Sequence, residues 1–490
     1  IKKKMRQNTS NNNQKFCECC IIGAGPAGLG VAYELVRHGV NNIIIIDKNK
    51  KVGGLSRTED FDGIKFDLGP HRFFTKNDEV NKIWHDTLGK DFIPVSRFTR
   101  IFYKNKYFNY PIKINDVLIK LGPIESLEAI FSFFLSQFNK KNNLVTFEDW
   151  VIQKFGRKLY ETFFKIYTEK IWGIPCSKIS SEWASQRIKG LDIFEVIKKA
   201  LFKRKSTRIK TLAEEFDYPL LGAGQMYEVM CEKLLSKGVK VMLETKVYRF
   251  NREGNKIISI EVIKPDNTKI SISAKHFFSS IPIVCFFNML NPPDSEFINN
   301  AVSMLKYRDH ITVNLLVNKR KIFPDQWIYI HSPELKMARI TNYNNFSLAM
   351  VGYNKNKTAL SVEYFVFKNK GLWNESDEFL GKLAINELSK IGLVKSSEIE
   401  KFWVVRETEV YPIYYIGLDK PYTLIKKRID EFSNFSSIGR AGLHRYNNQD
   451  HSLISGILAA RNYLRLENLP YYNLWEINID AEYQESGKRR

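Results

Sequence analysis

The strongest apolar pattern in the chain runs from Phe16 to Asp47. Cys19-Cys20-Ile21-Ile22 reads as a buried strand, and Leu29, Val31, Leu35 and Val36 share one face of a helix that stops at Gly39. Ile43 to Ile46 reads as a second strand ending on Asp47. Between the first strand and the helix stands Gly23-Ala24-Gly25-Pro26-Ala27-Gly28. This βαβ unit carries a nucleotide fingerprint. Gly23 permits the tight turn, Gly25 lets a pyrophosphate approach the backbone, and Gly28 lets the helix pack close to the strand. The phosphates face the free N–H groups of the helix N-terminus, and Asp47 lies where a carboxylate accepts from a ribose. A second glycine turn follows, Gly53-Gly54-Leu55-Ser56-Arg57, with a cation in reach of the same diphosphate.

Further along, Phe61 to Asp67 predicts a hairpin that delivers Leu68-Gly69-Pro70-His71-Arg72-Phe73-Phe74 to a loop, in which the glycine and proline fix the backbone before His71. From about Ile112 to Lys210 the spacing turns helical, with Thr146 as an N-cap and Asp149 three residues on. The last of these helices carries Tyr160, Phe163, Phe164, Tyr167 and Trp172, aromatics whose plain reading is an inter-helix core. After Arg208 the pattern is mixed: a turn at Tyr218 to Gly224, a helix from Met226 to Leu235, then strands at Val239 to Leu243, Ile257 to Ile263, Lys269 to Ala274 and His276 to Ser280. Strands are also expected at Ile311 to Val317, Trp327 to Ile330, Leu348 to Val351, Ala359 to Phe367 and Trp403 to Val410, with a helix over Glu378 to Ile391. Phe435 to Ile438 reads as a closing strand into Gly439-Arg440, followed by a helix from Leu453 to Leu464.

The expected fold is therefore α/β, with a discontinuous Rossmann-like domain, a helical insertion and a substrate domain on a mostly antiparallel sheet. Its segments are a disordered polar lead (1–15), dinucleotide-domain parts at 16–110, 216–300 and 431–467, the insertion (111–215), the substrate domain (301–430) and a C-terminal arm (468–490).

At 490 residues and 44% hydrophobic the chain can bury a large core. Its net charge of +22 comes from lysines spread along the whole length, which suits an anionic small substrate better than nucleic acid. No run approaches the ~20 apolar residues of a membrane span, and no apolar segment follows Ile1-Lys2-Lys3-Lys4 as a leader would require. Six cysteines without paired ligand spacing predict neither a disulfide framework nor a metal site, and point to thiols packed in a reducing cytoplasm.

The two glycine turns together resemble the FAD-binding start of the flavoprotein class that includes amine oxidases, protoporphyrinogen oxidases and UDP-galactopyranose mutases. Gly156-Arg157, Leu159-Tyr160, Phe163-Phe164, Tyr167-Thr168-Glu169-Lys170, Trp172-Gly173, Gln186-Arg187-Ile188, Ala338-Arg339-Ile340 and Gly439-Arg440 through Arg445-Tyr446 resemble the mutases in order over nearly the whole chain. The resemblance implies FAD rather than NAD, held by the glycine turns with Gly69, Pro70, His71, Gly439, Arg440 and Asn448. It implies a reduced flavin, supplied by NAD(P)H, whose N5 attacks the anomeric carbon of a UDP-sugar to interconvert pyranose and furanose for surface polysaccharide. Arg187 and Arg339 would be the cations on the diphosphate, with hydroxyls from Tyr218, Tyr411 and Tyr446. Phe163, Phe164, Tyr167 and Trp172 would hold the uridine, and Tyr329 stands where the mutases place an asparagine on the sugar. Phe74 replaces their second histidine. A homodimer is a further implication. The alternative is a flavin oxidoreductase of the protoporphyrinogen oxidase or amine oxidase type.

Overall fold

The computed structural model describes residues 14–112, 114–141, 143–181, 215–354, 356–467 and 469–478. The first strand, Gln14–Ile22, lies between two parallel partners, Ile43–Ile46 and Lys269–Ser279, with Cys19 facing Ile43 on one side and His276 on the other. Parallel strands flanked on both sides are buried on both faces, which is why this run reads as continuously apolar. Lys240–Met242 and Phe435–Ser437 add in parallel, and the antiparallel pair Lys246–Glu253 and Lys256–Ile263 extends the other edge of this eight-stranded sheet.

Two helices cover one face at backbone contact. A Cβ on Gly30 of helix Pro26–Arg37 would lie 2.5 Å from the Leu453 carbonyl, and one on Gly456 of helix Gln449–Leu464 would lie 1.9 Å from that of Ala27. An early and a late helix of the described residues are thus locked together against the same sheet.

The second sheet has seven strands in the order Ile399–Pro412, Tyr307–Val317, Thr358–Val366, Arg339–Asn342, Trp327–Ile330, Thr99–Tyr103 and Lys106–Asn109. Every neighbouring pair is antiparallel except Trp327–Ile330 with Thr99–Tyr103. Alternation divides its faces: Ile328, Ile340, Val362 and Val313 form a core with Leu380, Ala384 and Leu388 of helix Asp377–Lys390, and the other face turns to the first domain.

The helical segment contains Pro123–Phe138, Phe147–Phe155 and a continuous helical run from Arg157 to Trp172, widened to π spacing over Tyr160–Lys165. Thr146 caps Phe147–Phe155 by accepting from the Asp149 N–H at 2.8 Å. The run ends at Gly173, φ +67°, against the Arg308 guanidinium. Arg308 donates to the carbonyls of Ile171 (3.0 Å), Lys170 (3.3 Å) and Phe365 (2.7 Å), and the Lys170 ammonium donates to those of Ile330, Ser332 and Met337. Among the described residues no helix is long and apolar enough to cross a membrane.

Several expectations need correction. Lys269–Ser279 is one strand, because pairing with Gln14–Ile22 continues past Lys275. Leu348–Val351 is a 3-10 turn begun by the Ser347 hydroxyl; four apolar residues bury equally well in either form. Strands Thr99–Tyr103 and Lys106–Asn109 join the second sheet, although their sequence position places them in the first dinucleotide segment. The described part of the C-terminal arm is docked, with Trp475 only 8% exposed and its indole N–H donating to Asp430 at 2.9 Å.

Candidate functional site

The two glycine turns form one cradle. The Gly53 N–H donates to the Ala24 carbonyl at 2.8 Å, and Gly54, at φ +55°, brings its Cα so near Gly25 that a Cβ there would sit 3.1 Å from the Gly25 Cα. Side chains at these positions would fill the space before the helix that starts at Pro26 and Ala27, and Gly28 lies beneath it against the Gly23 carbonyl. Asp47 accepts from the Ala24 N–H (2.7 Å) and the Asn49 N–H (2.8 Å); burial pushes its carboxyl up. Leu55, Ser56 and Arg57 line the same space, but Arg57 is neutralised by Glu59 and Glu407. Gly439 closes against Ala27, and Asn448 starts the helix Gln449–Leu464.

The second sheet supplies the far wall. Register places Tyr329 opposite Arg339, Arg339 opposite Glu363 and Glu363 opposite Thr312, so these side chains stand in one row on the face turned away from the helix. Glu363, fully buried, accepts from Arg339 Nε (2.6 Å) and Nη2 and from His310 Nε2 (3.0 Å). Burial alone would push this carboxyl up, but Arg339 and His310 hold it down at about 2. Arg339 is correspondingly fixed as a cation.

Above the row runs the loop Gly69-Pro70-His71, where a Cβ on Gly69, at φ +121°, would lie 3.2 Å from Arg339 Nη2. Burial, reinforced by Arg339, lowers His71 to about 4, and its Nδ1 has no hydrogen-bond partner among the described residues. Arg440 lies over the rings of Tyr411 (4.6 Å) and Tyr446 (4.2 Å) and donates to the carbonyls of Val410 and Asn447.

A single cavity of about 660 Å³ runs from the cradle to this wall and is lined by Gly23, Gly25, Asp47, Gly69, Pro70, His71, Tyr329, Arg339, Tyr411, Arg440, Tyr446 and Asn448, among others. The glycine cradle and the buried, unpartnered His71 nitrogen at its far end fit an elongated dinucleotide. Among the described residues no group of three His, Cys, Asp or Glu side chains is arranged to hold a metal.

Other candidates fall elsewhere. Tyr218 is fully buried, donates to Asp67 at 2.5 Å and packs on Phe346, so it does not reach the cavity. Phe163 is 3% exposed among Ile101, Phe108 and Val117, and Phe164 packs on Phe155. Trp172 is buried behind the wall, edge-on to Tyr411 and beside Tyr446. All three fill cores: Phe164 between helices, Phe163 against the strands Thr99–Tyr103 and Lys106–Asn109, and Trp172 against Tyr411 of the second sheet and Tyr446. Tyr167 stacks on His331 (4.7 Å) and meets Tyr329 edge-on, one layer behind the cavity surface. Arg187 lies outside the described residues. Glu363 and His310 were not anticipated, although a lone glutamate in the apolar run Thr358–Val366 is the mark of a buried charge that needs a cation.

Fold and cavity thus define a Rossmann-like, mixed α/β dinucleotide protein. A family described as an NAD(P)-binding Rossmann-like domain matches residues 21–87. A Klebsiella pneumoniae protein described as "Probable UDP-galactopyranose mutase" is 29% identical over 170 residues, 32% of this chain and 42% of that relative, so less than half of either is matched. Protoporphyrinogen oxidase 1, chloroplastic, of Arabidopsis thaliana is 21% identical over 326 residues, 62% of this chain and 60% of the relative. The crystal structure of reduced UDP-galactopyranose mutase superposes with a TM-score of 0.80 at 20% identity, covering 94% of this chain and 99% of that one. The chain shares the fold of that mutase structure, and about a third of it is similar in sequence to curated sugar-nucleotide mutases.

Proposed function

We propose that the protein is an FAD-dependent UDP-sugar mutase that interconverts pyranose and furanose rings. The observation that carries this reading is the shared cavity, with the glycine cradle at one end and Arg339, Arg440, Tyr411 and Tyr446 lining the other. Gly23, Gly25, Gly54 and Asp47 would hold FAD with its ring towards His71, and in its reduced form, with NAD(P)H as the reductant, it would supply the nucleophile that takes the place of UDP at the anomeric carbon.

The chain's own groups do the rest. Arg339 and Arg440 hold the diphosphate and offset the charge that grows as UDP departs. Glu363 fixes the Arg339 fork, so no rotamer search accompanies charge development. Tyr411 and Tyr446 donate hydroxyls; burial raises the Tyr411 phenol, so it remains a donor at neutral pH. His71 stays neutral there and offers Nδ1 to the ring system without adding charge. Tyr329 bounds the sugar.

Titration of dithionite-reduced protein with UDP, UDP-galactose and UDP-glucose, followed by flavin fluorescence and chromatography of the products, tests the reading. UDP binding with ring isomerisation of one sugar supports it; absence of UDP binding overturns it.

A second reading has its own support. Phe74, Trp327 and Tyr329 give the cavity an aromatic wall, and Arg339 is already paired with a carboxylate. Both features suit a flavin oxidoreductase acting on an apolar or amine substrate, for which oxygen-dependent peroxide production is the diagnostic.

A further inference from the structure

The segment after Leu469 reaches back to the cavity wall. Trp475 is its anchor: the indole is buried in the core beneath the first sheet, its N–H donates to Asp430 at 2.9 Å, and its carbonyl accepts from Arg445 Nη2 at 3.2 Å. Three residues on, Asn478 Nδ2 donates to the Tyr446 carbonyl at 3.0 Å and approaches Asn447 Oδ1 at 3.4 Å. The other end of the Tyr446 residue is held too, because its N–H donates to the Tyr414 hydroxyl at 2.7 Å. Asn447 in turn accepts from Arg440 at its carbonyl and donates from its side chain to the Gly439 carbonyl. Tyr446 is therefore clamped on one side by the Tyr414 hydroxyl and on the other by Asn478, and Arg440, on the short helix Gly439–Gly442, is tied to the same stretch through the Asn447 carbonyl.

We propose that Asn478, anchored by Trp475, is a positioning residue that sets the Tyr446 ring and the Arg440 guanidinium in the cavity. The bonds argue for this over simple docking. A segment that only covers core needs Trp475, whereas Asn478 spends its donors on one peptide of the cavity wall. Asn478 adopts φ +64°, a left-handed conformation that asparagine tolerates better than most residues and that carries its amide to that peptide.

The consequence for ligand affinity rests on the nucleotide-sugar reading; the consequence for the loop does not. The test is made on the full-length, FAD-loaded protein with Asn478→Ala and Asn478→Asp, the latter keeping size while removing the donating amide. Amide hydrogen exchange of residues 445–448, read before any nucleotide is added, should quicken in both variants, by roughly three- to tenfold for one lost hydrogen bond. The melting temperature should stay within about 2 °C of wild type, since one such bond is a small part of the total. UDP dissociation from the reduced protein should weaken by a similar factor, with the bound flavin spectrum perturbed. Trp475→Phe, which keeps the ring packed and loses the Asp430 bond, should move the same readouts in the same direction by less. Unchanged exchange at 445–448 in the Asn478 variants overturns the proposal. If wild-type protein binds no UDP while the variants still show faster exchange, the mutase reading falls and the positioning role stands.

Discussion

Replacing Glu363 by glutamine tests whether the wall of the cavity is held by charge. The carboxyl is fully buried, yet it is held at about 2 against an ordinary 4.5, with Arg339 and His310 overcoming a burial effect that acts the other way. A depression of that size is worth about 3 kcal/mol of folding free energy at neutral pH. The folded value lies below the unfolded one, so this contribution is complete above the ordinary value of 4.5 and is lost as pH falls through about 2. Glutamine keeps the shape but leaves the Arg339 cation buried without its carboxylate, which costs about 3–5 kcal/mol. Urea unfolding followed by tryptophan fluorescence should show that gap at neutral pH, narrowing as the pH is lowered from about 5 to about 3. The double variant Arg339→Met/Glu363→Met, in which both charges go, should recover much of the stability while losing UDP binding. A gap under about 1 kcal/mol at neutral pH, or one that ignores pH, would refute the reasoning.

Gly54→Ala places a Cβ 3.1 Å from the Gly25 Cα at φ +55°; the left-handed strain alone, about 1–2 kcal/mol, should weaken FAD binding roughly tenfold, measured by flavin release. Tyr218→Phe and Phe163→Leu should lower the melting temperature by a few degrees and leave UDP affinity unchanged, because both side chains belong to cores; altered affinity would return them to the site. His71, lowered to about 4 from an ordinary 6.5, is favoured as the neutral form on folding, so its contribution raises stability as pH climbs across that interval and is flat above it. UDP binding should accordingly show no step from this group near its ordinary value, and His71→Asn should leave the pH profile above that value unaltered. Arg440→Lys should lose the stacking on Tyr411 and Tyr446 and raise the UDP dissociation constant about five- to tenfold, at roughly 1 kcal/mol for the lost cation–π contact.

What could be read from the sequence was what is local. The cradle is written in consecutive residues: a strand, Gly23 to Gly28, a helix and Asp47, each with its own periodicity. Arg339 and His71 stand out because glycine, proline or an isolated charge breaks an apolar run. Glu363 is different, since its meaning depends on a neighbour 24 residues away across two strands, and register is set by pairing that no single segment displays. The aromatics from Tyr160 to Trp172 show the opposite failure. Three- and four-residue spacing looks the same whether a helix face meets a base or a protein core, and Phe163, Phe164 and Trp172 meet core, two of them against strands of the second sheet. Tyr218 was misplaced because its partner, Asp67, is a buried carboxyl raised by burial to about 7, which a linear reading takes for the end of a hairpin. The docked arm is not legible because its attachments, Trp475 to Asp430 and Asn478 to Tyr446, join residues distant in sequence.

The helix that ends at Trp172 also limits how this cavity can admit a ligand. Lys170 is sunk among three carbonyls, with burial lowering its ammonium to about 8, and Arg308 seals the helix end, lowered by burial to about 10. Swinging that helix outward would strip two buried cations of carbonyl partners at once. The helix behaves as an anvil: Trp172 backs Tyr411 and Tyr446 from behind, and any gate must be built from parts of the rim that carry no such fastening.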